Sequence, residues 1–202
     1  PVGGVGEYTA LSPAGRARMV EATVVAARGR VPVIAGVVST SLHEAVDAGS
    51  AFKDLGADAL LVVPPFYQTP TMAGVRQYFS TYRKRVDLPL VLYDSPQHTH
   101  LVIDPATLGA MVDEGSLDAL KASNRDLDHF NRTVHAISGR VPVVCGETSH
   151  FAAYLAMGAD GGMIGNACLM PRVIVEIYRL AHGGKLADAF ALQRRLFPLS
   201  DA

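Results

Sequence analysis

The sequence predicts a parallel α/β fold of (β/α) barrel type, on three observations. Its strand-like stretches are continuous apolar runs, such as Ala59-Leu-Leu-Val-Val63 and Leu88-Pro-Leu-Val-Leu92, with no polar alternation. Such a strand is covered on both faces, as in a parallel sheet. These runs alternate strictly with helix-like segments along the whole chain. Two pieces also recur: Gly29-Arg-Val-Pro-Val33 returns as Gly139-Arg-Val-Pro-Val143, and Leu55-Gly-Ala-Asp58 as Met157-Gly-Ala-Asp160. A βα unit built more than once favours a barrel over a doubly wound sheet. No glycine-rich dinucleotide loop opens any helix.

In order, Ser12-Pro13 starts a first helix, with serine as cap and proline in the first turn, and Arg28-Gly29 ends it. Val31 to Gly36 is a short strand, and Ser41 to Leu55 a helix. Gly56-Ala-Asp58 turns the chain into the strand Ala59 to Val63, closed by Pro64-Pro65-Phe66-Tyr67. A helix over Met72 to Arg85, the strand Leu88 to Leu92, a helix over Pro105 to Glu114 and the strand Leu117 to Lys121 follow. Asp126 to Ser138 reads as helix, Val141 to Val144 as strand, Ser149 to Met157 as helix and Gly162 to Gly165 as the last strand. Helices fill Pro171 to His182 and Leu186 to Phe197.

With 202 residues, 49% of them hydrophobic, one domain spanning residues 1–202 is expected. The formal net charge of −1 gives no electrostatic reason to expect nucleic acid or an anionic membrane as partner. Cys145 and Cys168 lie in apolar runs without metal-ligand spacing, and read as small buried thiols of a reducing, cytoplasmic setting. His98 and His100 flank Thr99 with no third ligand at useful spacing, so no metal is expected.

Nearly every apolar run ends in residues that serve no core: Gly3 to Glu7, Gly36, Tyr67-Gln68, Tyr93-Asp94, Lys121, Gly146-Glu147 and Gly165-Asn166. In a parallel barrel these tips converge on one pocket. A lysine at the end of a buried run gains little by packing, because its ammonium is costly to bury unless paired or neutralised. Lysine plus a tyrosine phenol is the minimum equipment for Schiff-base chemistry on a keto acid, with no cofactor required. The neutral amine attacks the carbonyl, and the protonated imine then serves as an electron sink for making or breaking the neighbouring bond. The phenol relays protons.

At these residues the chain resembles the dihydrodipicolinate synthase / N-acetylneuraminate lyase family of class I aldolases and lyases. Gly3-Gly4-Val5-Gly6-Glu7 is similar to its G-x-x-G-E loop, Pro64-Pro-Phe-Tyr67 to its P-x-Y segment, Tyr93-Asp-Ser-Pro96 to its Y-N-x-P and Leu120-Lys121-Ala-Ser123 to its I-K-x-[ST]. The resemblance covers essentially the whole chain and implies a (β/α)8 TIM barrel. It implies Lys121 as the Schiff-base lysine, Tyr93 as the proton-shuttling phenol, backbone N–H groups of Gly4 and Val5 for the substrate carboxylate, and a backbone contact from Met163. Tyr67 is either a pocket wall or a relay member, which family members can borrow from a neighbouring subunit; a homo-oligomer, dimer or tetramer, is expected. Family members carry a first strand, a first helix and most of a second strand ahead of the loop, and further helices after Ala202. The expected reading is therefore a sequence truncated at both ends, its barrel lacking those parts.

Three departures shape the expected substrate. The relay threonine of the lysine-biosynthetic synthase is Gly4 here, the next hydroxyl residue is Val5, and His98 stands where an arginine grips the second substrate's carboxylate. Histidine is a poorer bidentate clamp than arginine. These differences favour a relative that splits or dehydrates a 2-keto-3-deoxy sugar acid or similar hydroxy keto acid. Glu147, beside Thr148, is the specificity candidate, with Asp94, Gln97 and His98 as further contacts. The rivals are 4-hydroxy-tetrahydrodipicolinate synthase itself and a non-catalytic keto-acid-binding relative. Glu7 reads as a helix cap, and His129, His135 and His150 as solvated or structural.

Overall fold

The computed structural model describes residues 1–200. The chain forms two compact units, Pro1–Asp118 and Ala119–Ala202. In the first, a loop and a 3-10 turn at Tyr8–Ala10 lead to helix α1 (Pro13–Ala27). Strand β1 (Ile34–Val37), helix α2 (Leu42–Asp54), β2 (Ala59–Val62), α3 (Met72–Val86), β3 (Leu90–Asp94), the single turn α4 (Pro96–Thr99) and α5 (Pro105–Asp113) follow. The strands run parallel, Gly36 beside Leu61 and Leu61 beside Val91. All four residues of β2 are buried, as the continuous apolar run requires. Helices α1, α2, α3 and α5 each begin with a side-chain oxygen capping an orphan N–H: Ser12 for Gly15, Ser41 for Glu44, Thr71 for Gly74 and Asp104 for Thr107. Arg28 and Asp87, in the left-handed region, end α1 and α3.

The second unit repeats the alternation: β4 (Ala119–Ala122), α6 (Leu127–Ile137), β5 (Val143–Cys145), α7 (Phe151–Ala156), the two-residue β6 (Gly161–Gly162), α8 (Pro171–His182) and α9 (Leu186–Ser200). Its strands are also parallel, with Lys121 beside Val144 and Cys145 beside Gly162. Its core includes Leu120, Phe130, Phe151 and Tyr154, the Phe130 and Tyr154 rings stacking at 3.9 Å. Among the described residues no helix is long and apolar enough to cross a membrane.

Three strands start later than their apolar runs predict, for one shared reason. Val33, Leu90 and Val143 each follow a proline, and each gives its N–H to an aspartate carboxylate (Asp58, Asp118 and Asp160) at 2.7 Å. Each aspartate's own N–H returns to the carbonyl of the same residue, at 2.9, 3.0 and 2.8 Å. The recurring Gly-Ala-Asp of the sequence is thus a reciprocal clamp that sets where neighbouring parallel strands begin. It is reached through a glycine two residues earlier, Gly56 or Gly158, at φ 92° or 103°.

Other expectations shift too. The last strand shrinks to Gly161–Gly162: only Met163 extends the ladder, giving its N–H to Cys145, before the chain closes a 3-10 turn at Gly165–Cys168. The helix expected from Ser149 is split into a 3-10 turn, Thr148–His150, and α7. Glu7 makes no side-chain cap bond; it sits at φ 56° before the Tyr8–Ala10 turn, and Ser12 does the capping of α1.

Candidate active site

In the first unit the functional candidates gather where β1, β2 and β3 end. The N-terminal loop crosses β1 so closely that a Cβ on Gly36 would lie 2.6 Å from the carbonyl oxygen of Val2, so the glycine is sterically required. This presses Gly4 towards the end of β3, where an added Cβ would meet only the Tyr93 hydroxyl, at 3.9 Å. The N–H groups of Gly4 and Val5 make no hydrogen bond among the described residues. A cavity of about 320 Å³ opens here, walled by Val38, Val63 and Phe66 and edged by Gly4, Thr9, Tyr93, Ser95, His98 and Thr99. The imidazole Nδ1 of His98 lies 2.7 Å from Ser95 Oγ, and Ser95 is buried.

Tyr67 does not line this cavity; it is 88% exposed, and its neighbour Phe66 takes the wall. Asp94 is also outside the lining: strand alternation turns it away from its neighbours Tyr93 and Ser95. It is buried with no partner for Oδ1, and burial pushes its carboxyl up to about 7.

The second unit carries the lysine. Lys121 sits near the end of β4, and its side chain runs along the end of β5. A Cβ on Gly146 would come within 2.8 Å of Lys121 Cε and would overlap Ser123 Oγ, so only glycine leaves room for both. Ser123 is fully buried and its Oγ has no hydrogen-bond partner. Beside them, burial pushes the Cys145 thiol up to about 12; the Glu147 N–H and the charge of Lys121 oppose that rise, and the Glu147 carboxylate adds to it. Glu147, itself buried, accepts a hydrogen bond from Arg125 Nε at 3.0 Å. Met163 gives its N–H to the carbonyl of Cys145 at 2.8 Å.

Three neighbours of the candidate residues are not apparent from residue type alone. Gly146 reads as an ordinary strand tip until the register puts it beside Lys121. Ser95 carries no signal until α4 folds His98 back onto it. Arg125 looks like a solvated cation until Glu147 is found buried against it. The spacing Ser95-x-x-His98, one helical turn, is the only one of these signals present in the sequence.

The chain matches known proteins along its length. The sequence profile of the Dihydrodipicolinate synthetase family matches residues 1–202. The 4-hydroxy-tetrahydrodipicolinate synthase of Gluconacetobacter diazotrophicus is 35% identical over 203 residues, a match spanning 100% of this chain and 68% of that protein. The dihydrodipicolinate synthase of Aquifex aeolicus superposes with a TM-score of 0.92 at 31% identity, covering 99% of this chain and 69% of that one. The chloride-inhibited dihydrodipicolinate synthase of Acinetobacter baumannii, solved with pyruvate, gives a TM-score of 0.94 at 28% identity, again over 99% and 69%. The chain belongs to the dihydrodipicolinate synthetase family, a family of Schiff-base-forming lyases.

Proposed function

We propose that this protein is a carbon–carbon or carbon–oxygen lyase that forms an imine between Lys121 and pyruvate or a related 2-oxo acid. The observation that carries this reading is Lys121 at the end of β4, its methylene chain lodged where Gly146 has no side chain. Such a wall holds the amine in one orientation, which is worth far more to a covalent step than a mobile lysine on the surface. In the proposed cycle the amine adds to the keto carbon and water leaves, giving the imine. Loss of a proton from the adjacent carbon gives the enamine, and Tyr93 supplies and recovers protons on oxygen. The N–H groups of Gly4 and Val5 hold the carboxylate, with the Met163 carbonyl as a further contact.

By the same reading the strands belong to an eight-stranded barrel, and the protein assembles as a homo-oligomer; the TM-scores above 0.9 support the first and the highly exposed Tyr67 fits the second. For substrate, Gly4 in place of a hydroxyl residue and His98 in place of an arginine favour a 2-keto-3-deoxy sugar acid or similar hydroxy keto acid. A second reading, 4-hydroxy-tetrahydrodipicolinate synthase, is favoured by the names of the relatives at 30 to 35% identity.

Borohydride trapping followed by peptide mass tests the chemistry. Pyruvate is expected to leave a reduced adduct on the Lys121 peptide of the wild type and none in Lys121→Ala. No adduct, with both proteins binding pyruvate equally, would leave a non-catalytic binding protein. Turnover of aspartate semialdehyde exceeding that of a 2-keto-3-deoxy sugar acid would select the second reading.

A further inference from the structure

The cavity of the first unit carries information about the tail of the substrate. Among the described residues lining it there is no Asp, Glu, Lys or Arg; its polar groups are hydroxyls and one imidazole. A site built for a second carboxylate presents a cation, usually a guanidinium fork. This wall presents none.

The Ser95–His98 pair has a defined hydrogen-bond sense. Ser95 is 1% exposed, so its hydroxyl proton needs an acceptor within the protein, and His98 Nδ1 at 2.7 Å is the one it has. Nδ1 therefore accepts, and in the neutral ring the proton rests on Nε2. The ring is held in place by this bond and by α4, whose first turn is set by Pro96 and closed by His98 N–H to Ser95 O at 2.9 Å. The result is a fixed N–H donor at the edge of a cavity whose described lining carries hydroxyls but no carboxylate, ammonium or guanidinium.

We propose that the Ser95–His98 pair recognises an uncharged oxygen on the substrate's tail, a hydroxyl above all, so that this wall selects hydroxylated tails and rejects tails ending in a carboxylate. The proposal rests on the Schiff-base reading for its place in the reaction. It goes beyond that reading in naming the donor, its tautomer and the tail chemistry. A pocket built to hydrogen-bond a hydroxyl discriminates strongly against the analogue lacking it, because the donor is then left unpaired. Ser95 is a positioning residue: it acts only through His98.

The test uses the full chain and three aldehydes offered with pyruvate: glyceraldehyde, propanal and succinic semialdehyde. In each case pyruvate condenses with Lys121 and releases water. Its methyl carbon then loses a proton and bonds to the aldehyde carbon, the aldehyde oxygen gains a proton, and one water hydrolyses the imine. No oxidant or reductant enters.

The wild type is expected to prefer glyceraldehyde to propanal in kcat/KM. His98→Phe is expected to cut that preference by about tenfold or more. His98→Gln, which keeps an N–H donor, should retain most of it. Ser95→Ala should fall between, its loss appearing in KM for glyceraldehyde more than in kcat. His98→Arg should turn the preference towards succinic semialdehyde. An unchanged ratio in His98→Phe, or a wild type that prefers succinic semialdehyde, overturns the proposal.

Nitrogen-15 NMR of the imidazoles provides a readout independent of the chemistry and of variant folding. The His98 Nε2 signal should be that of a protonated ring nitrogen, and should move on adding glyceraldehyde but not propanal. A proton on Nδ1, or equal shifts with both aldehydes, also overturns it. Failure of pyruvate trapping alone would sink the Schiff-base reading and leave the NMR arm to decide this one.

Discussion

Asp94 holds the most informative single charge in the first unit. Burial without a partner for Oδ1 raises its carboxyl to about 7, so the folded chain keeps a proton that the unfolded chain releases near pH 4. The sign follows from that difference. This group's contribution is fully present below pH 4, falls as the pH rises towards 7, and changes little above it, a loss on the order of 4 kcal/mol across the window. Asp94→Asn should therefore unfold at higher urea than wild type at pH 8 and at about the same urea at pH 4.5; a constant offset at both values would refute the assignment. At Gly4 the opposite kind of change is expected. An added Cβ there meets only the Tyr93 hydroxyl at an ordinary 3.9 Å, so Gly4→Thr brings a hydroxyl within reach of the phenol without a clash. Faster imine formation, by about tenfold, is the expected result in a stopped-flow or quenched trapping assay, and an unchanged rate would show that no relay partner is wanting. Gly146→Ala forces Lys121 and Ser123 aside, and trapping on Lys121 should slow by about tenfold or more with the far-ultraviolet circular dichroism preserved. If trapping is unaffected, the glycine wall does not position the amine. Lys121 and Tyr93 stand out as candidates in the sequence from their places at the ends of apolar runs. Gly146, Ser95 and Arg125 do not, because what they do depends on strand register and side-chain direction, and neither is written in residue type.

The elements were legible because punctuation and composition agree. Ser12-Pro13 announces a helix start that the structure keeps to the residue, as it keeps the starts expected at Met72 and Pro105, and Arg28-Gly29 announces an end. Apolar runs located the strands and the first residue of β2, but misplaced the first residues of β1, β3 and β5, since a proline cannot donate to the ladder and the residue after it donates to an aspartate instead. The repeat Gly-Ala-Asp was visible in the sequence as an echo; its meaning as a clamp needed the register. Each clamp joins a carboxylate to a backbone N–H, a bond worth about 1 to 2 kcal/mol at a partly exposed site. Asp58→Ala and Asp160→Ala should each lower unfolding free energy by about that amount in urea titrations. Asp118→Ala should cost more, because the same carboxylate also pairs with Arg83, which in turn holds the carbonyl of Leu88. Equal losses at all three positions would mean that the Arg83 pair contributes nothing.

Across the whole molecule, the near-neutral charge and the apolar content direct stability into the interiors of the two units, and the two cysteines report on one of them from opposite positions. Cys168, expected to be buried, is exposed because it ends the 3-10 turn rather than lying in a strand, whereas Cys145 is fully buried on β5 with its thiol pushed up to about 12. Only the thiolate reacts with an alkylating reagent, and at pH 8 a thiol of that kind is ionised to about one part in ten thousand. Burial adds a second barrier, since the reagent reaches Cys145 only when β5 opens between β4 and β6. Native protein should therefore take up one equivalent of iodoacetamide quickly and the second at least about a thousandfold more slowly. The slow rate should climb with urea while the fast rate stays level, so that its slope measures how much surface the second unit exposes when it opens. Equal rates for the two thiols in native buffer would mean that β5 is open to solvent, and that the wall holding Lys121 is not the rigid one the proposed imine chemistry requires.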